Sequence, residues 1–137
     1  MNSSIKHLHV SLLLLRLGIA LVMLAWTIDK LVRPEHSLHV LEHFYGLGAL
    51  GATPIYVMGA AELILIALFL LGLLKTWTYG VIMLLHGATT LISFHQYLHP
   101  FEGPNLLFYA AWPMLAACIA LFLLRDDDQL ATFGSRS

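Results

Sequence analysis

Four ionisable residues lie inside long apolar runs of this 137-residue chain. Arg16 and Asp29 belong to the first run, Glu62 to the second and His86 to the third. A charged side chain in hydrocarbon costs on the order of 3 kcal/mol or more, so such residues normally face a protein interior or a wet cavity. Because a carboxylate beside an imidazole could carry protons or bind a ligand, these residues are the first candidates for a functional site.

Glu62 and His86 are predicted to meet. Counted from the same side of the membrane, Glu62 lies roughly 12 Å deep and His86 roughly 16 Å deep, at 1.5 Å per residue. The small residues 59–61 before Glu62 would let a neighbouring helix approach closely. His86 also begins a polar stripe at helical spacing, which is expected to face the interior of a bundle. Its further members are Thr89, Thr90, Ser93 and Gln96 or Tyr97.

Aromatic residues of the fourth run extend this site. Tyr109 and Trp112 could line a pocket for a flat apolar molecule such as a quinone headgroup, or they could belong to the aromatic belt of a membrane protein. The expected ligand-binding cavity is lined by Glu62, His86, Thr90 and Tyr109. Other aromatic residues lie near the ends of runs and are assigned to the belt: Trp26, Trp77 and Tyr79.

The first run offers further candidates for ligand binding or proton transfer. Arg16 shares a helical face with Lys30, while Asp29 points elsewhere near the end of the run. Arg16 could instead extend its guanidinium to lipid phosphates as a topological anchor, and Asp29 could be an ordinary interfacial residue.

The segment after the first run is rich in histidine. His36, His39 and His43 are spaced by three and four residues, which places them on one face of a helix. Imidazole clusters bind zinc, copper or iron, so these residues are a candidate metal site. The alternative is a solvated interfacial face, since the chain carries no HExxH or comparable motif.

The elements that must position these residues are helices. Hydrophobic residues make up 59% of the chain and charged residues 11%, against about 25% charged in a soluble domain. A span needs roughly 20 apolar residues. The sequence predicts an all-α polytopic membrane protein: one domain that is a bundle of four transmembrane helices, at about residues 10–32, 55–74, 78–97 and 106–124, with a polar tail at 126–137. We expect the first span to be retained rather than cleaved as a signal peptide.

Between the first two spans, Pro34 should end the first helix. Residues 35–45 then have the amphipathic pattern of a short helix lying at the membrane surface. Lysine and arginine favour one side: Lys6, Lys75, Arg125 and Arg136, against Lys30 and Arg33 on the other. The positive-inside rule therefore predicts that both termini are cytoplasmic, in a bacterial inner membrane.

Composition also excludes several functions. The net charge of -1 leaves no broad basic face, so nucleic acid is not an expected partner. Cys118 is the single cysteine, so no disulfide relay within the chain is possible, and we expect it to be a buried apolar residue. Because the chain has no cysteine pair or redox motif of its own, we expect an accessory protein rather than an enzyme.

Several segments resemble the DoxX family of small four-helix bacterial membrane proteins. They are Leu-Arg-Leu-Gly at 15–18, Trp-Thr-Ile-Asp-Lys-Leu at 26–31, Gly-Ala-Ala-Glu-Leu at 59–63, Leu-Leu-Gly-Leu at 70–73 and Gly-Pro-Asn-Leu-Leu at 103–107. Arg16, Lys30 and Glu62 map onto positions of the family pattern. The histidine-rich segment after Pro34 and His86 depart from that pattern.

The resemblance implies a bundle of four membrane helices that works with a redox or respiratory partner, because relatives include the small subunit of a quinone-linked oxidoreductase. On this basis the expected function is an accessory or ligand-binding membrane component, with a quinone as the possible ligand. The alternatives are a proton-carrying subunit of a quinone-linked oxidoreductase, and a metal or proton transporter that uses the histidines. The expected partners are the lipid bilayer and either another membrane protein or further copies of the chain.

Overall fold

A computed structural model describes residues 2–134, so the predicted tail residues 135–137, Arg136 among them, lie outside the described part. The described residues fold into helices without strands. The α-helices are α1 (Ser3–Val32), α2 (Pro34–Tyr45), α3 (Ala52–Leu70), α4 (Lys75–Ile92), α5 (Phe94–Leu98) and α6 (Ala111–Leu123), and a 3-10 helix (Asn105–Ala110) leads into α6. The all-helical prediction is confirmed.

The four long helices form a closed ring. α1 packs against α3, α3 against α4, α4 against α6 and α6 against α1. Apolar residues at helical spacing on these inner faces form the core: Leu12, Ile19, Ala20, Met23, Ile66, Phe69, Tyr79, Ile82, Cys118 and Leu121. The prediction that Cys118 is a buried apolar residue is confirmed. The ring brings α1, α4 and α6 together around the candidate residues.

Three helical segments within residues 2–134 are long and apolar enough to cross a membrane: α1, α3 and the segment Asn105–Leu123. Few of their residues are buried within the protein, only 11% in the last segment, so their apolar faces are suited to lipid. These features are those of a membrane protein. α4 falls outside this group because His86, its threonines and Lys75 lower its hydropathy.

Proline and glycine mark the ends of helices. Pro34 occupies the first position of α2, where its missing N–H costs no helical hydrogen bond, and α1 stops just before it. Gly72 adopts a φ of 64° in the turn between α3 and α4, a left-handed conformation that favours glycine. The helix predicted at 35–45 is confirmed as α2. The first span, predicted from residue 10, begins already at Ser3, because the polar head continues the helix.

Candidate functional site

Polar side chains gather in three separate clusters, and α1 contributes to each. The first cluster is Lys30, Glu62 and Thr27. Lys30 Nζ donates to Glu62 Oε2 at 3.0 Å, and Thr27 Oγ1 reaches the same oxygen at 2.9 Å. The ion pair is partly buried, with about a fifth of each charged side chain exposed. Gly59, one turn before Glu62, is buried against Leu31 and allows α1 and α3 to approach closely.

The carboxylate and the imidazole that were predicted to meet have different partners. Glu62 is held by α1, whereas His86 Nε2 lies 3.0 Å from the carbonyl oxygen of Ala111 on α6. Among residues 2–134 the structure has no hydrogen bond between Glu62 and His86, so the prediction of a direct pair is wrong. The physical reason is that Lys30, a cation on the neighbouring helix, offers Glu62 a charge-assisted hydrogen bond, while the His86 ring is bound to Ala111 on α6.

His86 belongs to a second cluster. Its ring is buried, stacks on Trp26 of α1 at a centroid distance of 6.0 Å, and lies 3.3 Å from the Thr90 hydroxyl. Thr90 itself is fully buried and donates to the backbone oxygen of His86. The prediction that the polar stripe faces the interior is confirmed for His86 and Thr90 of α4, for Ser93 and for Gln96 of α5, which are buried, while Thr89 is half-buried.

The hydrogen bond to Ala111 sets the chemistry of the His86 ring. A carbonyl oxygen only accepts, so Nε2 must carry the hydrogen, and in the neutral ring Nδ1 is then an acceptor. Within the described residues Nδ1 is buried without a hydrogen-bond partner. Because buried polar atoms are nearly always paired, Nδ1 is the atom of this ring that a hydrogen-donating group would pair.

A groove of about 380 Å³ opens beside this ring. We call it the His86 groove; its lining residues are Trp26, His86, Thr89, Ser93, Leu107, Phe108, Ala110, Ala111 and Met114. Its size falls in the range of about 300–1,000 Å³ that small-molecule sites occupy. Its walls are mostly apolar and aromatic, with a few hydroxyls. The groove can therefore hold a flat apolar molecule with one polar substituent.

The residues that line the His86 groove differ from those predicted to line the cavity. Glu62, Thr90 and Tyr109 do not line the His86 groove within the described chain. Tyr109 instead donates to the backbone oxygen of Tyr97 at 2.9 Å and packs edge-on against its ring. Trp26, assigned to the aromatic belt, lines the groove although 44% of it is exposed.

The third cluster lies at the opposite end of the bundle. Arg16 is fully buried and donates to Asp128 Oδ2 at 3.1 Å, and Tyr79 donates to the same oxygen at 2.7 Å. Lys75 Nζ donates to the backbone oxygen of Asp128 at 2.5 Å. We call Arg16, Lys75, Tyr79 and Asp128 the arginine cluster. Arg16 does not extend to lipid in this arrangement, and Tyr79 is a core residue rather than a belt residue.

Asp29 and the histidines of α2 lie at the junction of α1 and α2. Asp29 pairs with Arg33, and its other oxygen lies 2.5 Å from His36 Nδ1. His39 and His43 are exposed on α2. Within residues 2–134, no three histidine, cysteine or acidic residues are grouped closely enough to hold a metal ion. The candidate metal site at His36, His39 and His43 therefore lacks a converging ligand set, because His39 and His43 are exposed and His36 is bound to Asp29.

Sequence reasoning missed Lys75, Tyr79 and Asp128. The available indication was the run of three aspartates after Arg125, because a buried arginine needs a counter-charge.

Comparison of the chain with protein families, with curated proteins and with solved structures gives no match.

Proposed function

We propose that the protein is a small DoxX-like membrane component that binds a flat, apolar, hydroxyl-bearing molecule in the His86 groove. The observation that carries this proposal is the buried, unpartnered Nδ1 of His86 beside an aromatic groove, within the described part of the chain. A hydroxyl donates a hydrogen to such an acceptor, whereas a ketone or ether oxygen does not. A quinol-like ring has the required shape and the required donor.

The proposed membrane arrangement has α4 as a fourth span, with both termini in the cytoplasm of a bacterial cell. Support comes from the ring of four long helices, in which α4 packs between α3 and α6. Four of the polar side chains that lower the hydropathy of α4 are buried: Lys75, Thr78, His86 and Thr90. Leu84 and Leu91 are exposed toward the proposed lipid. In this arrangement the groove lies in the outer half of the membrane.

The resemblance to the DoxX family supports an accessory role beside a redox or respiratory partner. The residues that carry the resemblance are the ones that join the helices: Arg16 in the arginine cluster, and Lys30 with Glu62 between α1 and α3. A proton-carrying role for Glu62 and His86 has less support, because the two side chains are bound by separate partners.

Filling the groove tests this proposal. Ala110→Phe places a ring in the groove, and we expect it to remove a hydroxyl-bearing aromatic molecule from the protein purified in mild detergent, as detected by mass spectrometry. Ala116→Phe is the matched control, because Ala116 is exposed on α6 and does not line the groove within the described residues. Retention of the same molecules by both variants would refute the proposal.

A further inference from the structure

The arginine cluster joins donors on two helices to acceptors that follow α6. Arg16, Lys75 and Tyr79 belong to α1 and α4, and each donates hydrogen bonds to residues after α6. Those acceptors belong to residues 126–134, which we call the tail. The Tyr79 hydroxyl also accepts from Arg16 Nη1 at 3.4 Å. The tail offers the carboxylate and backbone oxygen of Asp128 and, to Arg16 Nη2, the backbone oxygens of Leu130 and Ala131 at 2.5 and 3.2 Å. The bundle thus provides a donor-lined recess, and the tail occupies it.

The occupant fills this recess incompletely. Within the described residues, Arg16 Nε and Asp128 Oδ1 are both buried without a hydrogen-bond partner. Both donors that reach the carboxylate converge on its Oδ2 atom. A guanidinium presents its donors as a fork that matches carboxylate and phosphate oxygens in pairs, so the present geometry leaves part of this capacity unused. A group with more oxygen atoms than a carboxylate would pair more of the donors.

Two cations, Arg16 and Lys75, direct donors at Asp128 in this recess. Lys75 is the first residue of α4, so the recess lies at the end of the bundle. In the membrane arrangement proposed above, on which this one step rests, that end is level with the cytoplasmic lipid headgroups.

The tail also contacts the turn between α3 and α4. The backbone N–H of Phe133 donates to Leu71 O, and Thr132 and Gly134 pack against Gly72. The Phe133 side chain is 75% exposed. An irregular segment of this kind opens more readily than a helix of the core.

We propose that Arg16, Lys75 and Tyr79 form a binding site for a phosphate group, which Asp128 of the tail occupies in competition with that ligand. The phosphate is carried either by an anionic lipid headgroup or by a small molecule in solution. Binding of the phosphate displaces the tail, so the tail regulates access to the recess.

Hydrogen exchange of tail amides tests this proposal on the unaltered chain. The protein is placed in bilayer discs of zwitterionic lipid, and either phosphatidylglycerol in the bilayer or inorganic phosphate in solution is added. We expect exchange across residues 126–134 to rise about tenfold when the competing ligand is present at about ten times its Kd. A rise with phosphatidylglycerol alone assigns the site to lipid, and a rise with inorganic phosphate assigns it to a soluble ligand.

Variants distinguish a ligand-binding site from a purely structural contact between the tail and the bundle. Asp128→Asn weakens the occupant and should lower the amount of ligand needed to open the tail, while Asp127→Asn, an exposed neighbour, should leave it unchanged. The double variant Arg16→Gln with Asp128→Asn removes one charge of each sign, so the net charge of the recess is unchanged, and it should abolish the response. If neither ligand changes tail exchange in the unaltered chain or in Asp128→Asn, the proposal is overturned. These readouts are independent of the His86 groove, so failure of one proposal is distinguishable from failure of the other.

Discussion

In both proposals, individual buried polar atoms determine which ligand would bind. His86 contributes an acceptor because Ala111 takes the hydrogen on its other nitrogen. Arg16 contributes donors that are shielded from water, since its neighbours Leu12 and Ile19 are buried as well. For both side chains, the hydrogen bonds already made within the protein determine which atoms are left for a ligand. The residue type alone does not reveal those hydrogen bonds.

Thr27 connects α1 to α3 through its hydroxyl, which lies 2.9 Å from both Glu62 Oε2 and Met23 O. We expect Thr27→Val, which keeps the shape and removes the hydroxyl, to lower the free energy of unfolding by about 1 kcal/mol. Denaturant titration in detergent would measure this change. Thr53→Val at the exposed start of α3 is the control. Equal effects of the two substitutions would show that the Thr27 hydroxyl does not stabilise the bundle.

At the scale of elements, the tail and the turn between α3 and α4 are fitted to each other. A Cβ added to Gly72 would lie 2.6 Å from the Thr132 side chain and 3.1 Å from Arg16 Nη1. The tail can reach Arg16 only because this position lacks a side chain. Gly46 at the end of α2 has a similar φ of 67°, but a Cβ there meets no described atom within 4 Å.

Alanine substitutions of Gly72 and Gly46 should differ in their effect on stability. Both Gly72→Ala and Gly46→Ala impose a strained backbone that costs on the order of 1 kcal/mol. Gly72→Ala should additionally push the tail from the arginine cluster, so we expect it to be the more destabilising by about 2 kcal/mol or more. Unfolding of the two variants under the same conditions measures the difference. Comparable losses would indicate that the tail contributes nothing to stability.

Local sequence signals predicted the helices better than they predicted the polar pairs. Pro34, the apolar runs and the stripe through His86, Thr90 and Ser93 depend on neighbours in the chain, and α1, α2 and the buried face of α4 follow from them. The pairs Lys30–Glu62 and Arg16–Asp128 join residues 32 and 112 positions apart. Their formation depends on which helices become neighbours, and apolar periodicity does not specify that order.

For the whole molecule, the proposed arrangement has four spans. With α4 crossing the membrane, residues 6 and 129 lie on one side and residues 48 and 103 on the other. Single cysteines at these positions, in a Cys118→Ser background, should react with an impermeant maleimide from outside only at 48 and 103. Labelling of intact cells would show this. If residues 6 and 129 are on opposite sides, the chain crosses an odd number of times and α4 is not a span.

The central claim is that the His86 groove binds a ring through a donated hydroxyl hydrogen. Its most direct test is the equilibrium binding of a short-chain hydroquinone and of its dimethyl ether to the purified protein. We predict that the hydroquinone binds about tenfold tighter, the equivalent of about 1.4 kcal/mol for one hydrogen bond to a buried acceptor, and that His86→Phe abolishes the difference. Equal affinity of the unaltered protein for both compounds would contradict the account.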